Sequence, residues 1–375
     1  MVQELEPDAE LETFIGRLPK AELHIHVEGT LEPELMMALA ARNGVALPYA
    51  DATAAAAARA RFANLDDFLS LYYAGTSVLL TRRDFYDLAD AYFARAATEG
   101  VRHAELFFDP QAHTARGVPW SEFFPGLHQA VLDALAKHGV SAGLIMCFLR
   151  HLGPEAAAET LEQALPYRDA ICGVGLDSSE VGFPPALFAA VFQRAAELGW
   201  RRVAHAGEEA GPEYIRSALQ DLGVERIDHG IHCLDDPQLV AQLEANAGPA
   251  LTLCPLSNLR LQVYSGCLEA KLRQLVCETR VPVTVNSDDP AYFGGYVCAN
   301  YAYLAQVAGL DAPQLAALAA NSFRASFLLD AAAKERHCAD VAVALREWQA
   351  GAAAGAKSEA EAGVAVATAA AAAAL

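Results

Sequence analysis

The chain has 375 residues, 54% hydrophobic and 20% charged, which is enough apolar content for a packed core and excludes a wholly disordered polymer. Against 27 lysines and arginines stand 47 acidic residues, and the resulting formal charge of −20 repels phosphate backbones and anionic lipid surfaces. Nucleic-acid and membrane partners are therefore set aside, and no run approaches the ~20 apolar residues of a membrane span. The acidic start, Met1-Val2-Gln3-Glu4, lacks the basic region of a signal peptide, and the eight cysteines contain no CxxC pair. Reduced thiols in a cytoplasmic protein are the expectation.

Three stretches divide the chain. Residues 1–17 read as an N-terminal extension, 18–348 as one α/β domain, and 349–375 as an Ala-rich low-complexity tail. That tail has too little bulky apolar content to build a core, so disorder is expected there, and it inflates the mean hydropathy of +0.17. Within the domain, short β-rich runs lie at 22–27, 101–108, 141–148, 171–176, 202–205, 226–229, 250–253 and 282–286. Helix-period stretches such as 85–99, 120–137, 185–198 and 237–247 separate them. Strict alternation implies parallel strands with helical crossovers, and eight units point to a closed (β/α)8 TIM-type barrel. The segment 62–80 carries Phe62, Phe68, Tyr72 and Tyr73 and reads as a helix, either covering the barrel mouth or packing on its exterior.

The strand ends carry the chemistry. His24-Ile25-His26, Asp109, Asp177-Ser178-Ser179-Glu180, His205-Ala206-Gly207-Glu208, Asp228-His229-Gly230, Cys254-Pro255-Leu256-Ser257-Asn258 and Asn286-Ser287-Asp288-Asp289 each follow a predicted strand. In a barrel of this kind these ends converge on one mouth, where active sites are built. One or two such clusters would pass as ordinary solvated loops; seven, rich in His and Asp, do not.

His24 and His26 are the sharpest pair, because residues i and i+2 of a strand point to one face and can approach a single metal ion. His205 adds a third imidazole, with Glu208 on a glycine-loosened turn beside it. His229 is a candidate for orienting a water or moving a proton. Asp288 and Asp289 end the last strand, where neighbouring side chains can take different tasks, one on a metal and one on a substrate. Three imidazoles and one carboxylate suit a mononuclear zinc site with an open position for water, whose pKa a bound metal lowers towards ~7. Other signatures fail. His26-Val27-Glu28 matches half of the cytidine-deaminase pattern, but no P-C-x-x-C follows, and H-E-x-x-H and the P-loop are absent. The histidines at 103, 113, 128, 138, 151 and 337 read as structural or surface residues.

The motifs Pro19-Lys20-Ala21-Glu22-Leu23-His24-Ile25-His26-Val27-Glu28-Gly29-Thr30, His205-Ala206-Gly207-Glu208 and Ser287-Asp288-Asp289-Pro290 resemble those of the adenosine/adenine deaminase family of metal-dependent amidohydrolases. The resemblance runs from about residue 18 to 348. It implies one zinc ion per subunit, held by His24, His26, His205 and Asp288. It further implies that Glu208 protonates N1 of the purine, that His229 orients and deprotonates the attacking water, and that Asp289 accepts a hydrogen bond at N7. The loop beginning at Asp177 matches the purine-contacting loop of the family, with Ser179 where adenosine deaminases carry a glycine. Glu28 stands where adenosine deaminases hold the ribose with an aspartate, and its extra methylene fills space a sugar needs. Cys254-Pro255-Leu256-Ser257-Asn258-Leu259 and the residues around Ala291-Tyr292-Phe293-Gly294-Gly295-Tyr296 resemble the adenine deaminase branch. The expected reaction is hydrolysis of adenine to hypoxanthine and ammonia. The same chemistry on adenosine or on N6-substituted adenines remains the nearest alternative, and a non-catalytic purine-binding barrel a remote one.

Overall fold

A computed structural model describes residues 9–62, 65–245 and 248–351. Residues 1–8 of the extension and 352–375 of the Ala-rich tail lie outside the described residues. Eight parallel strands follow in order round one sheet: β1 (Lys20–His26), β2 (Val101–Phe108), β3 (Ser141–Leu149), β4 (Gly173–Asp177), β5 (Arg201–Ala206), β6 (Arg226–His229), β7 (Ala250–Leu253) and β8 (Val283–Val285). Asp288 closes the ring. Its backbone N–H donates to the His24 carbonyl and its own carbonyl accepts from the His26 N–H, both at 3.1 Å.

The strands are buried nearly throughout because both faces are covered, inside by the barrel core and outside by helices, and β7 and β8 are apolar but for one threonine each. Phe107, Ile145, Cys147 and Val203 fill the interior, and Phe327 packs against them. Helices such as Arg82–Thr98, Trp120–His138 and Ala312–Ala325 form the outer layer. The helical stretch predicted at 185–198 starts as a 3-10 turn, Pro185–Phe188, before the α-helix Ala189–Glu197. The extension is part of the packed structure from residue 9 onward: helix Ala9–Arg17 buries Phe14 and Ile15, and Phe14 packs 5.5 Å from Trp348 of the helical stretch 331–351. The eight cysteines are all free, as expected. Among the described residues no helix is long and apolar enough to cross a membrane.

Beneath the mouth, a buried ion pair ties the barrel wall to its closing segment. Arg226 of β6 donates to Glu105 of β2 and, at 3.0 Å, to the Leu23 carbonyl. The other Glu105 oxygen accepts from Ser326 Oγ at 2.8 Å, Phe327 N–H at 2.6 Å and Leu328 N–H at 3.1 Å. Every lone pair of the carboxylate facing the segment thus has a donor, which is what allows a charge to sit there.

Candidate active site

At the end of β1 the strand period sends His24 and His26 to the same face. β8 brings Asp288 between them: its Oδ1 lies 3.4 Å from His24 Nε2 and 3.5 Å from His26 Nε2. From β5, His205 Nε2 stands 3.3 Å from His26 Nε2. One donor atom each from His24, His205, His229 and Asp288 lies within 4.8 Å of the others, all of them buried. His229 Nε2 is 3.5 Å from Glu208 Oε1 and 3.6 Å from Asp288 Oδ2.

This convergence is held by an unusual backbone. Ser178 (φ 73°), His229 (φ 59°) and Asp288 (φ 62°) all occupy the left-handed region that side chains disfavour. Left-handed non-glycine residues at three strand ends of one mouth mark the place where the fold stores strain. Gly29 is required for a different reason, since a Cβ there would come within 1.8 Å of Asp289 Oδ1.

A layer below orients the imidazoles. Thr252 Oγ1 donates to Asp228 Oδ1 at 2.8 Å and, having spent its one proton, accepts from His24 Nδ1–H at 2.9 Å. That fixes the tautomer and leaves the His24 Nε2 lone pair facing the cluster. His205 Nδ1 lies 3.5 Å from Asp228 Oδ2, and His26 Nδ1 lies 3.6 Å from Asp177 Oδ2. Burial alone would push the Asp228 pKa up; the neighbouring His205, His24 and Arg226 hold it well below the usual carboxylate range. Burial depresses His26 to about 3 and lowers His229 far below its ordinary value, so both imidazoles are neutral.

The donor set fits a divalent metal. Nε2 of His24 and of His229 are buried without a hydrogen-bond partner, and two further Nε2 atoms face each other beside a carboxylate. Imidazole nitrogens and carboxylate oxygen converging with carboxylates behind them are the ligand chemistry and outer shell of a zinc-type site.

Glu208 and Asp289 flank this cluster. Burial and then Asp288, Glu209 and Glu180 raise Glu208 well above the usual range, and burial and then Asp288 do the same for Asp289. In both, burial and the neighbouring carboxylates favour the protonated form.

The cavity above the cluster is lined by His26, Asp109, Asp177, Ser178, His205, Glu208, His229, Asp288 and Asp289 from the strand ends. Its other wall is apolar: Leu65, Phe68, Leu69, Tyr72 and Tyr73 of helix Leu65–Thr76, with Leu261 and Phe293. The aromatic segment therefore covers the mouth. Phe68 packs 4.7 Å from Phe293 and 5.5 Å from Tyr292, which ties the helix to the loop after β8.

Two expected substrate residues fall elsewhere. Glu28 is fully buried behind the cavity, where its Oε1 accepts from His113 Nε2–H at 2.7 Å and from the Asp109 N–H at 3.2 Å. The 3-10 turn Glu28–Thr30 after β1 swings this side chain away from the mouth, so Glu28 shapes the site through Asp109 and does not line it. His113, read as structural, is its buried partner. Ser179 does not line the cavity either; the left-handed Ser178 reverses the chain and presents its own side chain, bonded to His151 at 2.7 Å.

Two further residues escaped the sequence reading. The Glu180 carboxylate accepts four backbone N–H groups, Gly207 at 2.7 Å on Oε1 and Glu208, Glu209 and Ala210 at 3.1, 2.9 and 2.9 Å on Oε2. It thereby sets the turn that carries Glu208. Buried Arg150 donates to the His205 carbonyl at 2.7 Å and to the Phe183 carbonyl at 2.9 Å. The strand-end position of Glu180 was the available signal.

Residues 19–342 match the sequence profile of the adenosine deaminase family. The chain is 57% identical over 313 residues to an adenine deaminase of Streptomyces coelicolor, covering 84% of this chain and 91% of that one. An adenine deaminase of Sphingopyxis alaskensis is 54% identical over 328 residues, with 88% and 95% covered. The chain belongs to the adenosine deaminase family. Within it, the chain falls in the adenine deaminase branch, a group of hydrolytic deaminases built on the amidohydrolase barrel. The crystal structure of the adenine deaminase of Arthrobacter aurescens superposes with a TM-score of 0.84 at 47% identity, covering 88% of this chain and 99% of that one. An amidohydrolase of Burkholderia ambifaria with bound Zn gives 0.84 at 27% identity, covering 94% and 97%.

Proposed function

We propose that this enzyme binds one zinc ion and hydrolyses adenine to hypoxanthine and ammonia. The observation that carries the proposal is the meeting of Nε2 atoms of His24, His26 and His205 with Asp288 directly under a cavity that Glu208 and Asp289 also line. Its support is the high identity to curated adenine deaminases over most of the chain.

Zinc on His24, His26, His205 and Asp288 supplies Lewis acidity, lowering the pKa of an attacking water towards ~7. The chain's own residues do the rest. His229, neutral and 3.5 Å from Glu208, takes the proton of the attacking water. Glu208 gives a proton to N1, which lets C6 accept the nucleophile; the proton taken by His229 then passes to the 6-amino group, which leaves as ammonia as the C6–N bond breaks, and the C6 hydroxyl returns its proton to Glu208. Asp289 donates at N7, and Asp177 and Ser178 face the remaining edge of the base. The covering helix excludes bulk water and sandwiches the purine against the strand ends with Phe68, Leu69 and Tyr72.

The test is direct. Purified protein should carry one divalent metal per chain and, mixed with adenine, lose absorbance at the adenine band while releasing one ammonia per base consumed. Glu208→Gln should fold, keep its metal and lose ~10²–10⁴-fold in kcat, the usual contribution of a positioned acid. Normal turnover by that variant, or no turnover of adenine by the zinc-loaded wild type, refutes the proposal.

A further inference from the structure

Besides the candidate ligand Asp288, four buried carboxyls line the cavity from different strands, and the barrel dictates their order round the mouth: Asp289 after β8, Asp109 after β2, Asp177 at the end of β4 and Glu208 after β5. The ring nitrogens of adenine follow one another round the base in the order N7, N9, N3, N1. Resting on the proposed function, Asp289 at N7 and Glu208 at N1 pin two positions, and turning C6 toward His229 of β6, which lies between them in the strand order, fixes the sense of rotation. N9 then falls to β2 and N3 to β4. In the 9H form of adenine, N9 alone of these four carries a hydrogen, so the position at β2 calls for an acceptor.

Asp109 presents an oxygen there: burial and then the neighbouring Glu28 raise its carboxyl to about 8, and in the protonated form its carbonyl-type oxygen still accepts a hydrogen bond. It is 2% exposed, and its Oδ1 has no hydrogen-bond partner within the protein. Oδ2 receives the Tyr72 hydroxyl of the covering helix at 3.3 Å. Behind it, Glu28 takes the Asp109 backbone N–H and is itself held by His113, whose Nδ1 faces Arg116 Nη2 at 2.9 Å. Two layers of buried polar groups thus hold one strand end in place, for an oxygen left unpaired in the cavity.

We propose that Asp109 selects free purine bases over nucleosides, its Oδ1 accepting the N9–H of the base. A nucleoside carries carbon at N9 and offers no hydrogen, so Asp109 would stay desolvated and unpaired while the sugar pressed on Tyr72. Sites built to bond a substrate N–H or O–H reject analogues lacking it by as much as ~10⁴–10⁵-fold, because the buried partner is left without a bond.

The experiment compares adenine with 9-methyladenine, the smallest change that removes this hydrogen, on the full-length zinc-loaded chain. Wild type should prefer adenine by at least ~10³-fold in kcat/KM. Asp109→Ala should lose ~10²-fold on adenine, chiefly through KM, and lose nothing on 9-methyladenine, so that the preference collapses. Asp109→Asn, which keeps an acceptor oxygen, should restore most of the preference and serves where the alanine variant melts early. Wild type accepting 9-methyladenine within a few-fold of adenine, or Asp109→Ala weakening both bases in parallel, overturns the inference. Calorimetric binding of the two bases separates it from the proposed function: Asp109-dependent adenine binding without deamination refutes the reaction and leaves the contact standing, whereas deamination indifferent to Asp109 does the reverse.

Discussion

Asp228 touches no part of the cavity and yet governs two of the four candidate ligands, through Thr252 to His24 and directly beside His205. Its removal should act on the metal before it acts on the reaction. Asp228→Asn is expected to lower metal affinity ~10–100-fold, read by competition with a chelator, with kcat at saturating metal falling less. Glu180 works the same way on the proton donor. Glu180→Gln replaces one acceptor of the four-way clamp by an amide that meets an N–H head on. A displacement of Glu208 by ~1 Å can cost ~10²-fold in kcat, and here it should appear with unchanged metal content. The signal for both residues was in plain view as acidic side chains at strand ends. What they do could not be read there, because each acts on atoms more than 20 positions away in the chain.

Among the elements, helix Leu65–Thr76 decides access. Leu65, Phe68 and Leu69 with the rings of Tyr72 and Tyr73 supply most of the apolar wall, so its contribution belongs to binding. Phe68→Ala should loosen it from Tyr292 and Phe293, cost about 3 kcal/mol in thermal unfolding and raise KM for the base far more than it lowers kcat. A fall in kcat with KM unchanged would place the helix in the chemical step. The aromatic spacing of 62–80 announced a helix; which side of the barrel it packs on depended on Tyr292 and Phe293, more than 200 residues away.

For the molecule as a whole, the pair of Glu105 and Arg226 joins the wall of the barrel to the segment that closes it. Burial pushes the Glu105 pKa up, but Arg226 and His103 outweigh it and hold the carboxyl below its ordinary 4.5. A depressed folded-state value contributes stability that is fully present above pH ~4.5 and is lost as the pH falls below it. Glu105→Gln leaves Arg226 buried without its counter-charge and should cost about 3–5 kcal/mol at pH 7. In urea unfolding followed from pH 7 to pH 4 and below, the gap between variant and wild type should narrow as the acid limb is entered. A gap that is constant with pH would show that Glu105 is not ionised in the folded state.

Much of this protein is local. The eight strands, their alternation with helices and the chemistry at their ends follow from side-chain periodicity, because a strand covered on both faces is enriched in apolar residues and its last residues face water or substrate. The strands at 101–108, 226–229 and 250–253 match the observed elements residue for residue. The metal-type cluster was legible for the same reason, since His24 and His26 share a face by period alone. Direction was not legible. Glu28 and Ser179 sit where the chain leaves the strand period, and a 3-10 turn in one case and a left-handed residue in the other sent them out of the cavity. The groups behind the site, Asp228, Glu180 and the Glu28–His113 pair under Asp109, exist only once strands far apart in the chain lie side by side. Period decides which face a side chain takes, and closure of the barrel decides what it meets there.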